Sequence, residues 1–297
     1  MTGTDGLVVV DKPSGWTSHQ VVGRVRRLLG TRKVGHGGTL DPMATGVLVI
    51  GVGRATRLLG HLAGRDKSYL ATIRLGQATV TDDAEGDITD QPGASGVQAE
   101  AIRAAIVPLR GRIRQVPSAV SAIKVDGKRA YARVRAGEDV VLKAREVTVR
   151  RFDVLDVRAH EVDGIEVVDV DVEVDCSTGT YIRALARDLG SALGAGGHLT
   201  RLRRTRVGPW TLAETCPVGP DIDELTVRSL DEVVPEAFST VTVDDEQAND
   251  VRHGRRLRIQ LPGLTAVFDR NGTFLALYTP DGETSVADSV FAPATGG

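Results

Sequence analysis

The chain carries only two cysteines among 297 residues, Cys176 and Cys216, too few for a disulfide framework or a four-cysteine metal site. No apolar run approaches the ~18 residues that a membrane-spanning helix needs. Residues 1–6 lack a basic cluster, and the apolar run 7–10 stops at Asp11-Lys12-Pro13. No signal peptide is expected, and a cytoplasmic location is. The six histidines (19, 36, 61, 160, 198, 253) lack metal-ligand spacing, and neither HExxH nor CxxC occurs. GxxxxGKS/T and GxSxG are missing, and Gly51-Val-Gly53-Arg-Ala-Thr56 breaks GxGxxG at its last position. No cofactor and no metal is therefore expected. With 41% hydrophobic and 26% charged residues, the composition is that of a globular protein with a substantial core. The length suits two domains, or one large domain with an appendage.

What the sequence has is segregated charge. The formal net charge is −2, yet residues 110–151 hold twelve Lys/Arg against four acids, a net of +8. The following stretch, 152–175, holds nine acids and one base, Arg158, a net of −8. Further basic knots stand at Arg201, Arg203, Arg204 and Arg206, and at Arg252, Arg255, Arg256 and Arg258. These are either solvated faces that balance one another or, if the three knots converge in space, a surface for a polyanion such as nucleic acid.

Residues 7–10 read as a short buried strand ended by Pro13-Ser14-Gly15. Thr17 or Ser18 caps a helix with Val21, Val22, Val25, Leu28 and Leu29 inward, and Gly30 stops it. Residues 34–45 are glycine-rich with Pro42 and are expected to be loop. Then come a buried strand (46–51), a short helix (55–63), a strand (68–75), a polar, acidic surface loop (79–96) and a helix (99–109). Val168, Val170, Val172 and Val174 alternate with Asp169, Asp171, Glu173 and Asp175, which predicts a half-buried strand with an acidic outer face. A turn at 176–179 leads into a helix at 180–193. The irregular alternation of strands and helices predicts an α+β fold, a mixed sheet with flanking helices, rather than a regular βαβ array. The acidic, proline-bearing segment 217–235 is a candidate linker, with the domain boundary placed between 232 and 233. A helix (244–252) and three short strands beyond it predict a small β-rich second domain.

Two segments stand out as sites. In Gly35-His36-Gly37-Gly38-Thr39-Leu40-Asp41-Pro42-Met43-Ala44-Thr45-Gly46, glycines permit close backbone approach, and Pro42 pushes Asp41 toward an extended conformation. The Asp41 carboxylate could be a nucleophile, a base or a metal ligand. It could equally satisfy the N–H groups of a tight turn. In Cys176-Ser-Thr-Gly-Thr-Tyr181-Ile-Arg183, a strand hands over to a helix whose N-terminus favours an anion, and Tyr181 or Arg183 could face a cleft. The same stretch could be a capping turn with a solvated arginine. Tyr69, one of four tyrosines, suits half-buried strand packing.

Six segments resemble, in order, the bacterial tRNA pseudouridine synthase family TruB. They are DKPSGWTS (11–18), GHGGTLDPMATGVL (35–48), DKSY (66–69), SAIKVDGKRAY (121–131), CSTGTYIRAL (176–185) and HLTRLRRTRVGP (198–209). Gly37 departs from the pattern, where threonine is frequent, and bears only on local loop geometry. The resemblance spans residues 7–210, and the tail resembles the small PUA-like RNA-binding domain of such enzymes. It implies isomerisation of uridine 55 in the TΨC arm of tRNA to pseudouridine, with the base flipped into a pocket. It implies Asp41 as the essential carboxylate, acting by attack on sugar or base or by abstracting a ribose proton, and Arg183 as its charge partner. Tyr69 is implied as the residue that stacks on uracil and a candidate for proton removal at C5, Tyr181 and Leu202 as pocket walls, and His36 as an aid to unstacking. Residues 110–151 would grip the TΨC arm, and 252–258 the acceptor region. The partner is tRNA, with no membrane and no protein partner expected, and the chain is expected to be a monomer.

Three other readings remain open at this stage. One is an RNA-binding protein or tRNA folding chaperone. Another is a nucleoside hydrolase, which usually requires paired carboxylates. The third is the same chemistry on guide-selected RNA, against which the short tail argues.

Overall fold

The valine–acid alternation of residues 168–174 marks the middle of a large mixed sheet. The computed structural model describes residues 5–118, 124–125, 128–129 and 143–292. Apart from short strands of two or three residues, eight described strands carry the first part of the chain: β1 (Gly6–Lys12), β2 (Val34–Gly37), β3 (Thr45–Val52), β4 (Lys67–Leu75), β5 (Gly111–Gln115), β6 (Arg145–Val162), β7 (Ile165–Cys176) and β8 (Gly197–Val207). Their order is β1-β3-β8-β4-β7-β6-β5, with β2 pairing beside β8 on the same edge of β3. Only β3 and β8 run parallel among these neighbours. Among the described residues six α-helices accompany them: α1 (Ser18–Leu29), α2 (Leu59–Ala63), α3 (Ala99–Ile106), α4 (Ile182–Ala192), α5 (Leu230–Ala237) and α6 (Asp245–Arg252). None among the described residues is long and apolar enough to cross a membrane.

Strand alternation gives the sheet two apolar faces. Val8, Val10, Leu48, Ile50, Ile73, Val170, Val172 and Val174 form one core with α1, α3 and α4. From the opposite side of β1 and β3, Leu7, Val9, Val47 and Val49 meet Val233, Val234 and Ala237 of α5 and Phe268, Phe274 and Phe291 of the tail. The tail is a four-stranded sheet, β9 (Ser239–Thr242), β10 (Thr265–Phe268), β11 (Phe274–Asp281) and β12 (Thr284–Val290), with α6 on its far side. The boundary expected between 232 and 233 falls inside α5. The proline-bearing composition marks the irregular segment before that helix, whereas the helix itself is continuous and packed on the first sheet.

Three further expectations are corrected. Residues 34–37 are strand β2, paired with β3, and Gly35 and Gly37 fit beneath α2, where a Cβ at Gly35 would stand 3.0 Å from the Leu59 side chain. The acidic segment 79–96 is not all surface, since Thr79, Asp82 and Asp83 at its base are buried. The charge blocks neutralise each other only in part: among the described residues Arg110 and Arg151 reach acids of the second block, and other charges pair within their own block. Arg151 pairs with Glu173 and Asp175, Arg158 with Asp171, Arg110 with Asp153 and Arg112 with Glu146. Of the knot 201–206, Arg203 pairs with Asp11, and Arg204 is 1% exposed. In the tail, Arg252, Arg255 and Arg256 pair with Asp269, Asp250 and Asp281. Residues 119–142 carry five of the twelve bases of the first block, and their side chains lie outside the described residues.

The crossing of β3 and β8 depends on Gly46. Its φ is +101°, and a Cβ there would stand 2.1 Å from the Arg204 carbonyl oxygen. Gly46→Ala is expected to destabilise the fold by about 3 kcal/mol or more, read as a lower denaturation midpoint. An unchanged midpoint would mean that the strands do not approach this closely.

Candidate active site

The Asp41 loop is built by tying down its carbonyl groups. Ser18 Oγ accepts from the Leu40 N–H (2.9 Å) and donates to the Leu40 carbonyl (3.2 Å). The Gly15 N–H donates to the Pro42 carbonyl at 2.9 Å. The Lys12 ammonium donates to three carbonyls at once: Pro13 (2.9 Å), Trp16 (2.5 Å) and Pro42 (3.1 Å). From the other side, Arg204 donates to the carbonyls of Val47 (2.7 Å), Gly38 (3.0 Å) and Thr39 (3.4 Å). Two buried cations thus fix the backbone around a carboxylate they do not bond. Among the described residues, Asp41 takes hydrogen bonds only from Arg183, so it does not serve the local turn.

Arg183 arrives from the first turn of α4, whose apolar residues Ile182, Leu185 and Leu189 are buried and set its direction. Its Nε stands 3.2 Å from Asp41 Oδ2, and its Nη1 3.1 Å from Asp83 Oδ2. Nη1 also donates to the Thr81 carbonyl at 3.0 Å. The Asp83 side chain is 3% exposed, Arg183 9% and Asp41 36%. The guanidinium therefore bridges a buried anchor and a carboxylate open to solvent. Asp83 is held in turn by the Thr81 hydroxyl (2.5 Å) and the Glu85 N–H (3.1 Å). Sequence reading missed it because it lies in a segment with the composition of a surface loop.

Asp41 opens on a cavity of about 360 Å³, walled by Lys67, Tyr69, Tyr181, Arg183, Leu202 and Arg204 with residues 38–40 and 178–180. Four of the five residues expected around Asp41 are thus brought together. Tyr69 lies on β4, and burial pushes its hydroxyl pKa up, with the Arg204 charge acting the other way. Tyr181 is the cap residue of α4, and Gln115 clamps its backbone by accepting from its N–H (2.7 Å) and donating to its carbonyl (3.0 Å). His36 is not part of the wall. It sits on β2, its ring edge-on to His19 with centroids 5.4 Å apart. Arg204, Lys67, Lys12 and Gln115 were not singled out as site residues. Arg204 read as one of a surface knot, but the inward phase of β8 places it in the core.

Burial pushes the Lys12 pKa from 10.5 down to about 8, with Arg204 adding to the shift and Glu85 and Asp41 opposing it. Lys67, donating to the carbonyls of Ala63 and Arg65, is pushed to about 8 by burial and Arg204. The Lys12 ammonium has three N–H donors for three carbonyls, and its neutral amine has two. Turnover is expected to fall as pH rises through about 8. Stability runs the other way: the folded value lies below the unfolded one, so the Lys12 contribution is complete above 10.5 and lost as pH falls through about 8. Single-turnover rates and melting temperatures in the same buffers test this. Lys67→Met should keep the alkaline decline, and Lys12→Met should lose it.

A solvent-open carboxylate, a fixed arginine counter-charge and a buried tyrosine around one cavity mark a candidate active site. Residues 26–182 match the family described as TruB family pseudouridylate synthase, N-terminal domain. Residues 183–219 match the tRNA pseudouridylate synthase B C-terminal domain, and 238–292 match tRNA pseudouridine synthase II, C terminal. The tRNA pseudouridine synthase B of Cutibacterium acnes is 59% identical, over 94% of both chains. That of Streptomyces griseus is 56% identical, over 98% of both. Among solved structures, a Cbf5-Nop10-Gar1 complex aligns with a TM-score of 0.70 at 27% identity, over 97% of this chain and 85% of that one. The chain belongs to the TruB family of pseudouridylate synthases.

Proposed function

We propose that the protein isomerises uridine 55 of tRNA to pseudouridine, with Asp41 as the catalytic carboxylate. The observation that carries this is the Asp41–Arg183 pair at 3.2 Å on the wall of a cavity that also presents Tyr69. The reaction breaks the N1–C1′ bond, turns the base and joins C5 to C1′. The C5 proton leaves and N1 gains one, so no electrons and no second substrate are consumed. Neither C1′ nor C5 is reachable in a stacked base, so the nucleotide must leave its stack at a cost of a few kcal/mol. Stacking on Tyr69 returns about 1–3 kcal/mol. The raised Tyr69 pKa keeps the ring a neutral phenol, which suits stacking better than proton removal. Tyr181 and Leu202 bound the base on its other sides, and His36, outside the cavity, meets RNA at its rim.

A nucleoside hydrolase would need a second carboxylate facing the cavity. Asp83 shares Arg183 but is buried behind it and forms no part of the wall. We further place the catalytic unit up to the end of α5 and an RNA-contacting tail from β9 onward. The protein would act as a cytoplasmic monomer on the TΨC arm. Unmodified tRNA transcripts incubated with the protein should yield one pseudouridine, at position 55, by mass-tag mapping. Free uracil, or no product despite tight binding, would overturn the assignment.

A further inference from the structure

Outside the cavity, the strongest feature is a groove along α1. Residues 12–40 contain six Lys/Arg (12, 24, 26, 27, 32, 33) and no Asp or Glu. On α1 a groove of about 340 Å³ is lined by Trp16, Gln20, Gly23, Arg24 and Arg27. Trp16 packs against the core and is only partly buried, so its indole also lines the groove. Arg24 is committed as a wall, donating to the carbonyls of Gly219 (3.1 Å), Pro220 (2.9 Å) and Ile222 (2.5 Å). Arg27 is exposed and makes no ion pair among the described residues.

Gly23 is the telling residue. It lies in the middle of a helix, where glycine lowers stability relative to alanine. A Cβ there would meet nothing within 4 Å, so no neighbour demands a glycine. What the missing side chain leaves open is the groove. The groove also adjoins the catalytic loop, because the Lys12 ammonium that holds the Pro42 carbonyl holds the Trp16 carbonyl as well.

We propose that this groove is a nucleotide subsite, taking an unpaired nucleotide of the RNA substrate near the target uridine, with its base on the Trp16 indole and its phosphate on the Arg27 guanidinium. Aromatic floors with arginine rims bind single-stranded nucleic acid because every base has a π-face and every nucleotide a phosphate. Residues 12–40 hold no acid, and although Asp223 pairs with the Arg24 wall at 3.4 Å, Arg27 is left exposed on the rim, which favours an anionic occupant. The subsite rests on the RNA-modifying reading above and deepens it.

The test compares wild type, Gly23→Ala, Gly23→Leu and Arg27→Gln for tRNA binding, single-turnover rate and melting temperature. Gly23→Leu fills the groove from an open helix position and should melt no lower than wild type, yet bind tRNA about tenfold more weakly. Gly23→Ala should bind normally. Arg27→Gln should reduce the salt dependence of binding by about one unit of slope. There are two tryptophans, and Trp210 is buried. Quenching of indole fluorescence by tRNA therefore reports Trp16, and Gly23→Leu should abolish it. Wild-type affinity and quenching in Gly23→Leu would overturn the subsite while leaving pseudouridine formation by wild type intact. Failure of wild type to form pseudouridine would instead overturn the reading of the reaction, and binding and quenching would still decide the groove.

Discussion

Asp41→Asn is expected to lower pseudouridine formation by more than about 10⁴-fold, while tRNA affinity holds or rises slightly. The substitution is nearly isosteric and leaves the loop's fastenings in place, since none of them uses the carboxylate. Lys12 and Arg204 grip carbonyls, and Ser18 grips Leu40. What disappears is the one negative charge that faces the cavity with an arginine behind it. Removing a negative charge from an RNA-binding cleft does not weaken phosphate binding. A single-turnover assay beside filter binding reads both quantities. Substantial residual turnover would show that the carboxylate neither attacks nor takes a proton.

Arg183→Met is expected to damage both chemistry and fold. Asp83 would be left as a buried carboxylate without its ion-pair partner, and breaking a buried pair from one side costs about 3–5 kcal/mol. Asp41 would lose its counter-charge, and loss of such fixed electrostatic support costs about 10²–10³ in rate. The two effects separate in the double variant Arg183→Met/Asp83→Asn. Removing the orphaned charge should recover much of the melting temperature and none of the turnover. If stability did not recover, the Asp83 charge would not be what Arg183 neutralises.

The geometry explains which parts of this arrangement were legible beforehand. α1 was readable to within a residue, because Thr17 and Gln20 form a reciprocal cap and Gly30 adopts the left-handed conformation that ends it. β7 was readable from its alternation, because one face meets a core and the other meets water or ion partners. β2 was not, since its glycines carry no pattern and only pairing with β3 makes it a strand. Tyr69, Tyr181, Arg183 and Leu202 line the same cavity as Asp41, and it is the resemblance, not periodicity, that singles them out in the sequence. Their positions on β4, at the start of α4 and on β8 are separated by long stretches of chain.

The charge blocks show the same division from the other direction. Composition read +8 beside −8, and among the described residues the pairing of β6 with β7 joins Arg151 of the first block to Glu173 and Asp175 of the second, while Arg158 finds Asp171 within its own block. Which arginines remain for RNA is a matter of strand phase, and phase is set by what the opposite face buries.

The sequence by itself determined the local elements with a strong period or cap and the family to which the chain belongs. These depend on residues close together along the chain. Only the tertiary structure decided that Asp83 anchors Arg183, that Arg204 and Lys12 are buried clamps, and that His36 stands outside the cavity. Each of those depends on a buried charge finding a partner far away in sequence, and the cost of leaving such a charge unpaired becomes visible only once the strands are placed side by side.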